Sequence, residues 1–295
     1  MGNYVVKNEK LEITINSHGA ELTRLKDVKS GKNYLWDARP EYWARYSPVL
    51  FPLVGSLKNK TYSYEGIKYN MNQHGFARDK EFEMLEQTED TIWFVLKSTE
   101  ETMAVYPFPF TLQVGYQLIN RQVKVMWKVI NEGQKNMFFS IGAHPAFVCP
   151  IEPHTKREDY YLQFDGADRL TYRLLTKEGL AQKHVNSLET EGGIIPFDKE
   201  LFSKDALVFE NHQTQKVSLL TPEKVPYITV QFDAPLFGVW TPTRGDAPFI
   251  CIEPWYGRCD GEDFDGTLEQ REWGNHLAPS EIFEAAYSIE VNTII

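Results

Sequence analysis

Apolar side chains recur at every second position along most of this chain, a period that suits a half-buried strand and not a helix. Leu11, Ile13 and Ile15 alternate with Glu12 and Thr14. FTLQVGYQLINRQVKVMWKVINEG reads as a long hairpin, pairing Leu112, Val114, Tyr116 and Leu118 with Val123, Val125, Trp127 and Val129 across Asn120 and Arg121. EFEMLEQTEDTIWFVLKS reads as a second hairpin, with Phe82 and Met84 on one arm and Ile92, Phe94 and Leu96 on the other. Even EIFEAAYSIEV, rich in helix formers, places Phe283, Ala285, Tyr287, Ile289 and Val291 on one face, so it is assigned as a closing strand. Sixteen prolines and nineteen glycines punctuate these runs at turn spacing. Helical periodicity is nearly absent, which disfavours a parallel βαβ fold. No linker, repeat or low-complexity tract divides the chain. The expectation is an all-β protein: one large antiparallel β-sandwich, a single domain over residues 1–295, with its chemistry on strand ends and loops over one concave sheet face.

The charge balance narrows the partners. A net charge of -10 argues against a nucleic-acid or anionic-membrane surface, either of which calls for a basic face. No apolar run approaches the roughly 18 residues of a membrane span. The start, MGNYVVKNEK, has no signal-peptide core and carries Val6 where a myristoylation signal wants Ser or Thr. Cys149, Cys251 and Cys259 form no CxxC pair, so neither a disulfide framework nor a zinc site is expected, and Cys251 is assigned to packing. These features describe a cytoplasmic protein, monomer or homodimer, that handles a small molecule.

Titratable groups stand out in three segments. In SIGAHPAF, His144 ends a strand-like run and precedes Pro145. Proline has no amide hydrogen and pushes the residue before it toward extended conformations. The ring of His144 is thereby held at a fixed angle, which suits a catalytic group and equally suits a buried histidine bonded to a carbonyl. In NQHGFARDKEF, His74 is followed by Gly75, and Arg78 offers a fixed fork of donors for vicinal hydroxyls or a phosphate, or else a solvated turn. In APFICIEPWYGRCD, Glu253 follows an apolar run, where a carboxylate is costly unless paired or employed. Partial desolvation would raise its pKa toward that of a useful base, and Trp255 and Tyr256 offer flat faces for a sugar ring. Salt bridging at a sheet edge is the plainer reading of Glu253. The phosphate loop, the dinucleotide GxGxxG, the GxSxG elbow and HExxH are all missing, and the spacing of His74 and His144 gives no support to a metal site.

HGFAR, GAHPAF and APFICIEPWYG, in this order and spacing, resemble the aldose 1-epimerase (galactose mutarotase) family, and within it the LacX-like branch associated with lactose and tagatose metabolism. SHGAELTRL and YLWDARPEYWARYSPVLFPLVG fit the same pattern, so the resemblance runs from about residue 3 to the C terminus. It implies a galactose mutarotase-like supersandwich and an isomerase without cofactor or metal that interconverts α and β anomers of an aldose, free or phosphorylated. By that resemblance His144 donates a proton to the ring oxygen, Glu253 removes one from the anomeric hydroxyl, His74 helps hold the ring oxygen and Asp205 in KDALVF contacts sugar hydroxyls. The pH profile would then take its acidic limb from Glu253 and its alkaline limb from His144. One departure stands out: well-studied galactose mutarotases carry an arginine in GRxxNR ahead of the HG element, where FPLVGSLKN has none. Arg78, Arg45 and Lys58 are the candidates to replace it. The competing readings are a hexose-6-phosphate 1-epimerase, a sugar sensor without turnover, and a glycoside hydrolase. The last needs two carboxylates flanking the bond, and only Glu253 has a suitable context.

Overall fold

The computed structural model describes residues 2–242 and 246–292. Two large antiparallel sheets dominate, one of nine strands and one of eight, joined by a three-stranded N-terminal sheet. Among the described residues, helix is confined to Glu100–Val105 and a few short 3₁₀ turns. None of these helices is long and apolar enough to cross a membrane.

The central strand of the nine-stranded sheet is Ile282–Val291, and next to it lies the hairpin Phe110–Ile119 and Gln122–Asn131. Its register pairs Val123 with Leu118, Val125 with Tyr116, Trp127 with Val114 and Val129 with Leu112, as the alternation requires. Asn120 turns it with a positive φ of 54°, a conformation its short polar side chain tolerates. Ile282–Val291 is a strand despite its helix formers, and Tyr287, Ile289 and Val291 are buried from it. A continuous apolar cluster draws side chains from Val6 to Val291 and fills the space between the sheets. The hairpin of Glu83–Gln87 and Thr91–Lys97 departs from expectation in one arm. Phe82 lies outside the strand and is buried, whereas Met84 lies in the edge strand, next to a register shift, and is exposed. The alternation did not survive because that strand has no partner beyond it to enforce a face.

The eight-stranded sheet positions the chemistry. Its strand Phe249–Tyr256 is interior, with Leu236–Trp240 on one side. On the other side stand two short strands, Ile141–Ala143 and Ala146–Val148, which pair Gly142 with Trp255 and Ala146 with Cys251. His144 and Pro145 are the break between them. Counting inward from the two pairings sets His144 across from Glu253. Pro145 supplies no donor to a ladder, while the amides of His144 and Ala146 turn to the carbonyls of Pro48 and Tyr46 at 3.2 and 3.0 Å.

Cys251, Glu253 and Trp255 lie two residues apart and share a sheet face. The indole of Trp255 spreads over the flanking strands because the residues beneath it are glycines. A Cβ on Gly238 would stand 2.5 Å from Trp255 Cη2, and one on Gly142 would stand 2.6 Å from Cδ1. Gly238→Ala must therefore push the indole away, and we expect a loss of about 1–3 kcal/mol, typical of overpacking. Urea unfolding together with tryptophan near-UV circular dichroism checks this. An alanine variant with unchanged stability and spectrum would mean that the indole does not rest there.

Candidate active site

Above Glu253 opens a cavity of about 250 Å³. His74, Arg78, His144, Asp205, Glu253 and Trp255 line it, so six side chains expected from sequence converge on one site. Tyr256 does not join them. Successive residues of a strand face opposite ways, and Tyr256 turns into the core against Phe283 and Trp127, with ring centroids 5.2 and 6.4 Å away. Lys58 is absent from the lining too, and Arg45 is drawn to Asp79 at 2.7 Å. Of the three candidates for the missing arginine, Arg78 alone reaches the cavity wall.

Glu253 is 1 % exposed, and neither carboxyl oxygen has a hydrogen-bond partner. Its Oε2 lies 3.3 Å from Nε2 of His144. The indole N–H of Trp255 is near enough to favour the charged form somewhat, but it completes no hydrogen bond. Burial dominates and, with help from the negative charge of Asp205, pushes the carboxyl well above the ordinary carboxylate range. Burial also governs His144, aided by the positive charges of Arg78 and Arg45, and pulls its pKa down to about 3. Desolvation thus favours a neutral imidazole facing a protonated carboxyl. Sequence reasoning took Glu253 as the anion and His144 as the cation, and burial pulls in the opposite direction. The two arrangements carry the same single proton and differ only in which atom holds it.

His74 is held by the backbone rather than by a charge. Its amide donates to the carbonyl of Gly55 at 2.9 Å, and its Nδ1 accepts the amide of Gly55 at 3.1 Å. A neutral ring that accepts at Nδ1 carries its proton on Nε2 and can donate from there. Burial, reinforced by His144, Arg78 and Arg45, keeps the His74 pKa well below the usual histidine value. Gly55 is required for this latch: its φ is +73°, and a Cβ there would sit 2.5 Å from Cys259 Cβ. The segment behind it is pinned by Asp260, which accepts the Lys58 amide at 2.9 Å and the Arg271 guanidinium at 2.7 Å.

Aromatic rings that sequence reasoning did not assign complete the walls. Trp43 stacks on the imidazole of His144 at 4.7 Å and 29°, and Trp240 meets its edge at 5.4 Å. Trp43 lies in an irregular loop where no period marks it, and its carbonyl accepts the indole N–H of Trp36 at 2.8 Å. Arg78, on the Ala77–Asp79 turn, gives one Nη2 bond to the Gln73 carbonyl at 2.7 Å, while its buried Nε makes no hydrogen bond and lies 3.9 Å from Oδ2 of Asp79. The solvated-turn reading of Arg78 is thereby set aside. Asp205 reaches the wall from a residue with φ of +78°.

The protonation of the pair carries a stability signature. A carboxyl whose folded pKa is raised binds more protons folded than unfolded, so its contribution falls as pH rises above the ordinary value of 4.5. Glu253→Gln has no proton to lose. The stability of Glu253→Gln relative to the native protein should therefore climb above pH 4.5, by up to about 1.4 kcal/mol per pH unit. Urea unfolding of both proteins across pH 5–8 measures it. A constant difference would show that Glu253 is already ionised in the fold.

The aldose 1-epimerase family profile matches residues 3–266. Protein LacX (plasmid) of Lactococcus lactis subsp. lactis is 32% identical over 296 residues, covering 97% of this chain and 98% of its own. The crystal structure of a galactose mutarotase related enzyme from Lactobacillus acidophilus superposes with a TM-score of 0.94 at 35% identity, covering 99% of this chain and 98% of that one. A galactose mutarotase-like protein from Lactobacillus casei gives 0.91 at 27% identity, covering 99% and 100%. The match spans both the sheet that carries Glu253 and the loops that bring histidines to it, and this chain belongs to the aldose 1-epimerase family.

Proposed function

We propose that this protein interconverts the α and β anomers of an aldose hexose, with His144 and Glu253 exchanging protons with the sugar. The observation that carries the reading is the buried pair itself: a carboxyl with two unpartnered oxygens, 3.3 Å from an imidazole, at the floor of a sugar-sized cavity.

The proton bookkeeping follows from the pair holding one proton. In the ionic arrangement, His144 gives its proton to the ring oxygen while Glu253 takes one from the anomeric hydroxyl. The C1–O5 bond breaks and the open-chain aldehyde forms. The pair is then left as neutral imidazole and protonated carboxyl, the arrangement that burial favours. Rotation about C1–C2 presents the other face of the aldehyde. Glu253 then returns a proton to the carbonyl oxygen as His144 takes one from the hydroxyl, and the ring closes on the opposite anomer. No proton passes to solvent over the cycle. The hydroxyls of a bound sugar supply partners to the Glu253 oxygens, which restores the ionic arrangement from which ring opening begins. His74, donating from Nε2, supports the ring oxygen. Arg78 and Asp205 are assigned to sugar hydroxyls, and Trp255 to an apolar face of the ring. The guanidinium of Arg78 at the cavity wall equally suits a phosphate, so the test covers free and 6-phosphorylated hexoses.

Anomer-exchange NMR is the test. Exchange should be accelerated for at least one aldose and should not fall when EDTA is added. Glu253→Gln and His144→Asn should each lower kcat by roughly 10²–10⁴-fold, and the double variant by far less than the product. The limbs of the kcat/KM profile belong to the pair, not to either residue. The acidic one should lie near pH 3, where His144 gains a proton. The alkaline one should lie where the shared proton is lost, above the ordinary carboxylate range. Sequence reasoning assigned these limbs the other way round. A Glu253→Gln enzyme with near-normal kcat, or failure with every aldose tried, would overturn the reading.

A further inference from the structure

Cys251 lies two residues before Glu253 and faces the same side of the sheet. The ligand atoms of Cys251, Glu253 and His144 all lie within 4.8 Å of one another, and all three residues are buried. Cys251 is packed with Trp36, Ala146, Ala247 and Phe249, under the half-buried rings of Trp43 and Trp240. The proton exchange proposed above gives it no part, and packing alone does not call for sulfur.

We propose that His144, Cys251 and Glu253 form a site for a thiophilic divalent cation of the zinc class, and that a cation bound there blocks the acid–base pair. The blocking rests on the function proposed above; the binding does not. An imidazole nitrogen, a thiolate and a carboxylate oxygen are ligands zinc accepts in tetrahedral geometry. The thiolate and the single carboxylate disfavour magnesium and calcium, which take oxygen ligands. Neither buried Glu253 oxygen has a hydrogen-bond partner, and Nε2 of His144 faces Oε2 at 3.3 Å, so a cation would take the place of the proton that the pair shares. Metal–ligand bonds of about 2.0–2.3 Å ask the three side chains to close by at most on the order of 1 Å.

The charges balance. Binding releases the thiol proton of Cys251 and the shared proton of the pair to solvent. The dication then meets one thiolate, one carboxylate and a neutral imidazole, which leaves the dry floor of the cavity without net charge. Water or a sugar hydroxyl takes the fourth position.

The test is titration of the chelator-treated full-length protein with Co²⁺ and Cd²⁺, following thiolate-to-metal charge-transfer absorption and proton release in weak buffer. One equivalent should bind, with a charge-transfer band and close to two protons released at neutral pH. Cys251→Ala and the sterically closer Cys251→Ser, both checked for folding by circular dichroism, should lose the band. Their affinity should drop by more than the roughly 10–100-fold that a merely supporting group is worth. Cys149→Ala should keep the band. In the same samples anomer exchange should fall as the band grows and recover on adding chelator. Absence of the band in the native protein, or its survival in both Cys251 variants, overturns the site. Undiminished exchange at saturating metal overturns the blocking. A protein that binds the metal as described but exchanges no sugar keeps the site and counts against the enzymatic reading alone.

Discussion

A glutamate in an interior strand with neither oxygen hydrogen-bonded is the constraint from which the rest of the site follows. An ionised carboxylate in that setting costs several kcal/mol more than an exposed one. The fold offsets the cost by placing an imidazole nitrogen 3.3 Å away, near enough to exchange a proton with the carboxyl. The interrupted strand before Ala146 serves the same end. Because Ile141–Ala143 and Ala146–Val148 pair with the same neighbour, the residue at the break is held from both sides. Pro145 keeps the ladder from closing over it.

The surrounding shell keeps the dielectric low and the rings still. Trp43 covers one face of the His144 imidazole, Trp240 its edge, and Trp255 lies flat over Gly142 and Gly238. A proton transfer here meets little reorganising water, so small changes in hydrogen bonding move the shared proton between Glu253 and His144. His74 depends on packing behind the cavity: Cys259 lies so close that only glycine fits at position 55, and Asp260 holds the Lys58 amide and the Arg271 guanidinium behind it.

Much of this was legible in the sequence. Alternation located the long hairpin to the residue, because both of its strands have a partner on each side and a buried face to satisfy. It failed at Met84, on a free edge where nothing enforces a face. The three chemical segments were found because titratable residues in apolar or glycine and proline settings are costly and therefore conspicuous. Tyr256 was misplaced through neglect of the strand period, since adjacent residues cannot both face one cavity. Trp43 escaped because an irregular loop carries no period, and its contact with His144 joins residues 101 positions apart. The protonation of the pair was also out of reach. Charge states follow from burial, and burial of Glu253 depends on strands drawn from distant parts of the sequence.

The central claim is that burial shifts the pair toward protonated Glu253 and neutral His144. Infrared difference spectroscopy between the native protein and Glu253→Gln at pH 7 tests it most directly, with histidine-specific ¹⁵N NMR of the same samples. We expect a protonated-carboxyl stretch that shifts in D₂O and is absent from Glu253→Gln, together with a neutral His144 ring down to about pH 3. A carboxylate band for Glu253 at pH 7 beside a protonated imidazole would contradict it.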